Sequence, residues 1–184
     1  MEGVPAKDVN GDAFDQGVTT LVYATHTIAG HVPLPGTVYG SLVARFPEAA
    51  HSAVRGNGTV GDLGSIKITR TTTTRGEDGR ENDEDDDDGG DGGITHVVAL
   101  FHRISPGLTS HKGYLQRKTA FMAALTALHV AIKADKIPVG GIVFPSNTGC
   151  GGSGCRWEDY RPLIDAFSAS LPDGFHVLVA TKVS

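Results

Sequence analysis

The chain has 184 residues, 39% of them hydrophobic and 20% charged, which is enough for one domain with a sizeable core. No apolar run is long enough to form a membrane-spanning helix, and the opening MEGVPAKDVNGDAF lacks the basic-then-apolar pattern of a secretory signal. The formal charge of -5 is unevenly spread: residues 75–93 hold ten acids and two bases, so the rest carries eleven acids and fourteen bases, or +3.

In chain order, Val18–His26 (VTTLVYATH) reads as a buried strand and Thr37–Ala49 as a short helix ending near Pro47. Ser65–Arg70 (SIKITR) alternates as a strand does, and Thr95–His102 (THVVALFH) is apolar and β-branched. Between these two strands, within residues 71–94, lies the acidic segment. It has almost nothing to bury and is expected to be a disordered loop that inflates the turn of a hairpin. Such an insertion costs little, because closure entropy grows only logarithmically with length. The longest predicted helix runs from about Tyr114 to Lys133, with Phe121, Leu125, Leu128 and Ile132 on one apolar stripe. Val139–Pro145 reads as a short strand. Arg156–Ser170 reads as a helix with Pro162 as its weak point, and Phe175–Thr181 as a closing strand. Strands alternating with helices predict a single layered α/β domain over residues 1–184, without internal repeats.

The stretch FPSNTGCGGSGCRW, Phe144 to Trp157, stands between a strand and a helix. Its GCGGSG matches the glycine pattern of a dinucleotide fingerprint, but only about 30 residues follow, too few for the rest of that unit. No Lys-Ser or Lys-Thr follows the glycines, so it is not a Walker phosphate loop. Cys150 and Cys155 lack zinc-site spacing and a nearby histidine. They are also no disulfide framework, and a reducing cytosolic or nuclear compartment is expected. Cys150 acting as a nucleophile would need a base beside it; otherwise it is a small buried thiol. Two readings of the glycines remain. Backbone amides at the start of the following helix form a cradle for phosphate or diphosphate, or the loop merely turns.

Three stretches together resemble the macrodomains, the ADP-ribose-binding modules. Val9–Asp15 (VNGDAFD) is similar to their Gly-Asp-hydrophobic opening. Leu21–Ala49 is similar to their first ligand strand, glycine loop and helix. Phe144–Ile164 is similar to their second phosphate loop, and Leu63–Ile68 and Ser110–Leu125 match the middle strand and the preceding helix. The nearest branch is that of ADP-ribose-1''-phosphate phosphatases and terminal ADP-ribose glycohydrolases. The resemblance implies a three-layer α/β/α fold with a central mixed sheet. It implies that Asp12 accepts the adenine amine and that the Ala13 amide meets a ring nitrogen. It places the diphosphate between Gly36, Thr37 and Val38 on one side and Thr148, Gly149, Cys150, Gly151, Gly152, Ser153 and Gly154 on the other. The distal ribose then points toward Thr25, His26 and Thr27. No metal or cofactor is implied, and the expected partners are ADP-ribose, a derivative of it or an ADP-ribosylated protein. A membrane is not expected. Nor is nucleic acid, since the body is only mildly basic and no aromatic-basic interleaving is present.

The chain departs from that family in four places. His26 stands where asparagine or serine is usual, and Pro35 replaces a glycine, removing one amide donor. Arg103 stands near the place of the glycohydrolase lysine, and an arginine stays protonated, so it cannot attack a sugar aldehyde. Ser153 stands where an aspartate serves as a carboxylate base. A histidine offers other chemistry at neutral pH. His26 is the candidate acid or base, with Arg103 to hold an anionic group. His102 and His111 fall near the same end; their alternative readings are an interior strand histidine and a surface residue at a helix start. His31, His51, His96, His129 and His176 are read as structural. The expectation is a hydrolase of an ADP-ribose derivative. The alternatives are a non-catalytic reader of ADP-ribose and an interaction scaffold with a decayed pocket.

Overall fold

The computed structural model describes residues 4–26, 38–49, 62–71, 93–103, 111–150 and 155–181. Pro35, Gly36, Thr37, the acidic run, Gly151, Gly152, Ser153 and Gly154 lie outside the described residues, as do the side chains of His26, Arg103 and His111. The strands are β1 (Lys7–Asn10), β2 (Thr20–His26), β3 (Ile66–Arg70), β4 (His96–Arg103), β5 (Gly141–Pro145) and β6 (His176–Thr181). The helices are α1 (Val38–Arg45), α2 (His111–Lys133) and α3 (Trp157–Ala169). One-turn 3-10 helices follow β1 at Ala13–Asp15 and α1 at Pro47–Ala49.

The strands form one mixed sheet in the order β1-β6-β5-β2-β4-β3. All neighbours are parallel except β3, which pairs antiparallel with β4. The predicted hairpin therefore exists. Its two strands are tied at the base of the acidic insertion, where the Thr71 amide donates to the Thr95 carbonyl at 2.9 Å and the Thr71 hydroxyl to Ile94 at 2.6 Å.

Alternate residues of the central strands enter two separate cores. Val22, Val98, Leu100, Ile142, Phe144, Val177 and Val179 face α2 and α3. Leu21, Tyr23, Val97, Ala99, Val143 and Ala180 face the side that carries α1 and both short helices. Strands buried on both faces need apolar residues at every position, which is why β2, β4 and β5 read as continuous hydrophobic runs. The predicted stripe of α2 packs as expected: Phe121 and Leu128 are fully buried and Leu125 and Ile132 nearly so. The helix begins three residues ahead of Tyr114. The α3 helix runs through Pro162, which lies on its exposed face near the first turn. The only intrahelical bond lost there is the one that would reach the exposed Glu158.

β1 is the element that periodicity does not reveal. KDVN is four residues long, mostly exposed and at the sheet edge, so it carries no apolar pattern. Arg161 on α3 holds this part of the chain, donating to the Asp8 carboxylate and, at 2.6 Å, to the Ala6 carbonyl.

Phe121 stands at the centre of the larger core, edge-on to the Tyr160 ring at 4.9 Å and to His102 at 6.2 Å. Phe121→Ala is expected to lower unfolding free energy by about 3–5 kcal/mol in urea titrations. A loss under about 1 kcal/mol would show that this aromatic cluster does not hold α2 and α3 to the sheet.

Candidate functional site

Five parallel strands bring their carboxyl ends to one edge of the sheet. Asn10, Thr181, Pro145, His26 and Arg103 are their last residues. The chain leaving β2 goes to α1 on one face, and the chain leaving β5, its neighbour, goes to α3 on the other. Adjacent strands whose connections part to opposite faces leave a crevice beyond their carboxyl ends. Of the described candidates, Thr25 lies at the end of β2, Thr148, Gly149 and Cys150 follow β5, and Asp12 and Ala13 follow β1, all at this edge.

The turn after β5 is built to lie close against β2. Asn147 and Gly149 both have positive φ, 59° and 85°. A Cβ on Gly149 would stand 3.2 Å from the Tyr160 ring and 3.6 Å from Ala24 of β2, so only glycine suits both the conformation and the space. The Thr148 hydroxyl and amide both donate to the Pro145 carbonyl, and the Cys150 amide donates to Asn147 at 2.8 Å. The Thr148 and Cys150 amides are thus engaged within the turn.

His102 joins this turn to β2. It is completely buried. Nδ1 lies 2.9 Å from the Thr25 carbonyl and Nε2 lies 3.1 Å from the Gly149 carbonyl. Thr25 itself is buried, with only 7% of its surface exposed. His102 is therefore an interior histidine lying directly beneath the candidate site.

Both cysteines are thiols. Burial, followed by the neighbouring Cys155, Glu158 and Asp159, pushes the Cys150 thiol up to about 12, so it does not ionise near neutrality. That fits the buried-thiol reading better than the nucleophile. The Tyr160 hydroxyl donates to the Cys155 sulfur at 3.5 Å, and burial raises its own pKa.

Glu158 and Asp159 occupy the first turn of α3. The Tyr114 hydroxyl holds the Asp159 carboxyl low, and the same bond pushes Tyr114 up to about 12. Arg156 pairs with Asp159 at 3.0 Å on the surface. This cluster ties the start of α2 to the start of α3, beside the glycine turn. Sequence reading does not find it, because Tyr114 and Asp159 belong to different helices and share no motif.

At the other end, Gly11 donates to the Thr181 carbonyl at 2.9 Å and opens a tight turn with φ 119°. Asp12 follows in extended conformation and caps the short helix, accepting the Phe14 amide at 3.1 Å. Ala13 is buried beneath it. A carboxylate offers about four lone-pair sites in all. Arg45 at the end of α1 pairs with Asp15 at 3.1 Å and sits over the Phe14 ring at 5.0 Å, fixing this turn against α1. Val38, also a candidate, is the exposed first residue of α1.

Among the described residues, no group of three or more His, Cys, Asp or Glu is placed to hold a metal ion, and no helix is long and apolar enough to cross a membrane.

No protein-family model and no curated protein matches the sequence. Solved structures do match, over nearly the whole chain. The macrodomain of Mycobacterium tuberculosis DarG is 16% identical, with TM-score 0.64 over 97% of this chain and 98% of that one. Thermosipho africanus DarTG, in complex with ADP-ribose, is 15% identical, with TM-score 0.55 over 95% of this chain and 41% of that one. The Trypanosoma brucei macrodomain, also in complex with ADP-ribose, is 12% identical, with TM-score 0.54 over 96% of this chain and 63% of that one. The order of elements, the mixed six-stranded sheet and the helices on both its faces are those of the macrodomain fold.

Proposed function

We propose that the chain binds ADP-ribose in the crevice beyond β2 and β5 and hydrolyses a derivative of it, either the 1''-phosphate or an ADP-ribosylated protein. The carrying observation is the meeting of three features at one sheet edge: Asp12, the buried end of β2 at Thr25, and the Gly149 turn. In this reading Asp12 accepts the adenine amine with acceptor capacity beyond its cap. The diphosphate lies between the start of α1 and the glycine run that opens at Gly149, and backbone amides take its charge. Thr25 and His26 then lie toward the distal ribose, where His26 serves as the acid or base and Arg103 holds an anionic group. The structures of Thermosipho africanus DarTG and the Trypanosoma brucei macrodomain, both in complex with ADP-ribose, support the choice of ligand. We place this activity in the cytosol or nucleus, where Cys150 and Cys155 stay reduced.

Calorimetry with ADP-ribose tests the adenine contact. Asp12→Asn preserves the helix cap but replaces one carboxylate oxygen with an amide donor. It is expected to weaken binding by about 1.5–3 kcal/mol, the scale of a hydrogen bond to a charged group. Equal affinity in wild type and variant removes Asp12 from the adenine site.

Turnover is tested with ADP-ribose-1''-phosphate and an ADP-ribosylated acidic peptide, following phosphate release and loss of the modification. His26→Ala is expected to abolish product formation while sparing ADP-ribose binding. Full activity in that variant excludes His26 from the chemistry. Binding without turnover on both substrates makes the protein a reader.

A further inference from the structure

We propose that His102 is a positioning residue, a buried clasp that sets the glycine turn at Gly149 against the end of β2. The geometry begins in the β2–β4 ladder. Thr25 faces Phe101, but His26 faces Arg103, so the register skips one residue and leaves His102 as the extra one on β4. A bulge of this kind re-aims a side chain. Here the imidazole is sealed from solvent, with Phe121 edge-on to its ring. Its two nitrogens meet two main-chain carbonyls, Thr25 at 2.9 Å and Gly149 at 3.1 Å. Carbonyls only accept, so a neutral imidazole, with one N–H, bonds one of the two and only the imidazolium bonds both.

The Gly149 contact is the one with consequence for the site. The peptide between Gly149 and Cys150 is planar and trans, so its C=O and N–H point in opposite directions. The C=O meets His102, and the N–H donates to Asn147 at 2.8 Å. With a proton on Nε2, this peptide plane is pinned at both edges. Gly149 at φ 85° has no side chain to resist rotation about this link. The clasp supplies the restraint that glycine lacks. A turn already held in place takes a ligand without a further ordering cost.

The assignment of a ligand rests on the ADP-ribose reading; the clasp itself does not. Two substitutions separate the halves of His102. The amide nitrogen of glutamine reaches the position of imidazole Nε2, and that of asparagine the position of Nδ1. His102→Gln keeps a donor for Gly149, whereas His102→Asn keeps one for Thr25. In the ligand-free protein, hydrogen exchange of the Cys150 amide, read by NMR, is expected to match wild type in His102→Gln and to rise about tenfold in His102→Asn. ADP-ribose affinity is expected to stay within about threefold in the former and to fall about tenfold in the latter. Equal behaviour of the two variants in both measurements reduces His102 to core packing and overturns the proposal. If the wild type does not bind ADP-ribose, the functional reading falls and the exchange data alone decide the clasp. Should both variants misfold, 15N NMR of wild-type His102 decides it: a proton on Nε2 is required, and a bare Nε2 refutes the clasp.

Discussion

The parallel alignment of five strands is the constraint on which the rest of the molecule depends. Because β1, β6, β5, β2 and β4 run the same way, their carboxyl ends share one edge. Because β2 and β5 send their chains to opposite faces, the middle of that edge is a topological switch point, where a crevice is expected. Neither Asp12 nor Gly149 has special chemistry alone. One is a capping aspartate and the other a turn glycine, and both are common. They acquire a shared meaning only through the strand order, which brings together residues more than a hundred positions apart.

Parallel strands also dictate the core, and through it the precision of the site. With helices on both faces, the central strands bury most of their described residues, and two cores grip them from opposite sides. The aromatic residues of the larger core reach to the functional edge. Phe121 touches His102, and Tyr160 packs on Phe121 and closes over Gly149. The glycine turn therefore rests on a close-packed surface and inherits its rigidity.

Most of the fold is legible in the sequence wherever burial is complete. The stripe of Phe121, Leu125, Leu128 and Ile132 and the runs of β2, β4 and β5 each follow from one period of apolar residues. Legibility fails at β1, where an edge strand of four mostly exposed residues buries too little to leave a pattern, and at Pro162, where an exposed proline near a helix start proved tolerable. The site is legible in a different way. Gly149 and Asp12 stand out by resemblance, because turns demand particular residues. His102 does not, since a histidine in a strand looks the same whether it fills space or joins two carbonyls. Only a one-residue skip in the ladder distinguishes the cases, and ladders are set by tertiary pairing. The Tyr114–Asp159 contact is hidden for the same reason.

The electrostatics of the edge bear on why backbone amides, rather than cations, suit its ligand. The first turn of α3 carries Glu158 and Asp159; they favour the helix dipole but oppose any anion brought to the same helix start. Asp159 is drawn away from that role, since the Tyr114 hydroxyl and the Arg156 guanidinium both hold it. Arg156 is thereby committed as well, and Arg45 and Arg161 are spent on Asp15 and Asp8. With these cations paired off, an anionic ligand would depend on amide dipoles whose strength lies in their aim. Aim, unlike charge, is a property of peptide planes, and the plane between Gly149 and Cys150 is held by His102 on one side and Asn147 on the other. A surface site can recruit another lysine to gain affinity. A site of the kind proposed here would instead gain it by stiffness.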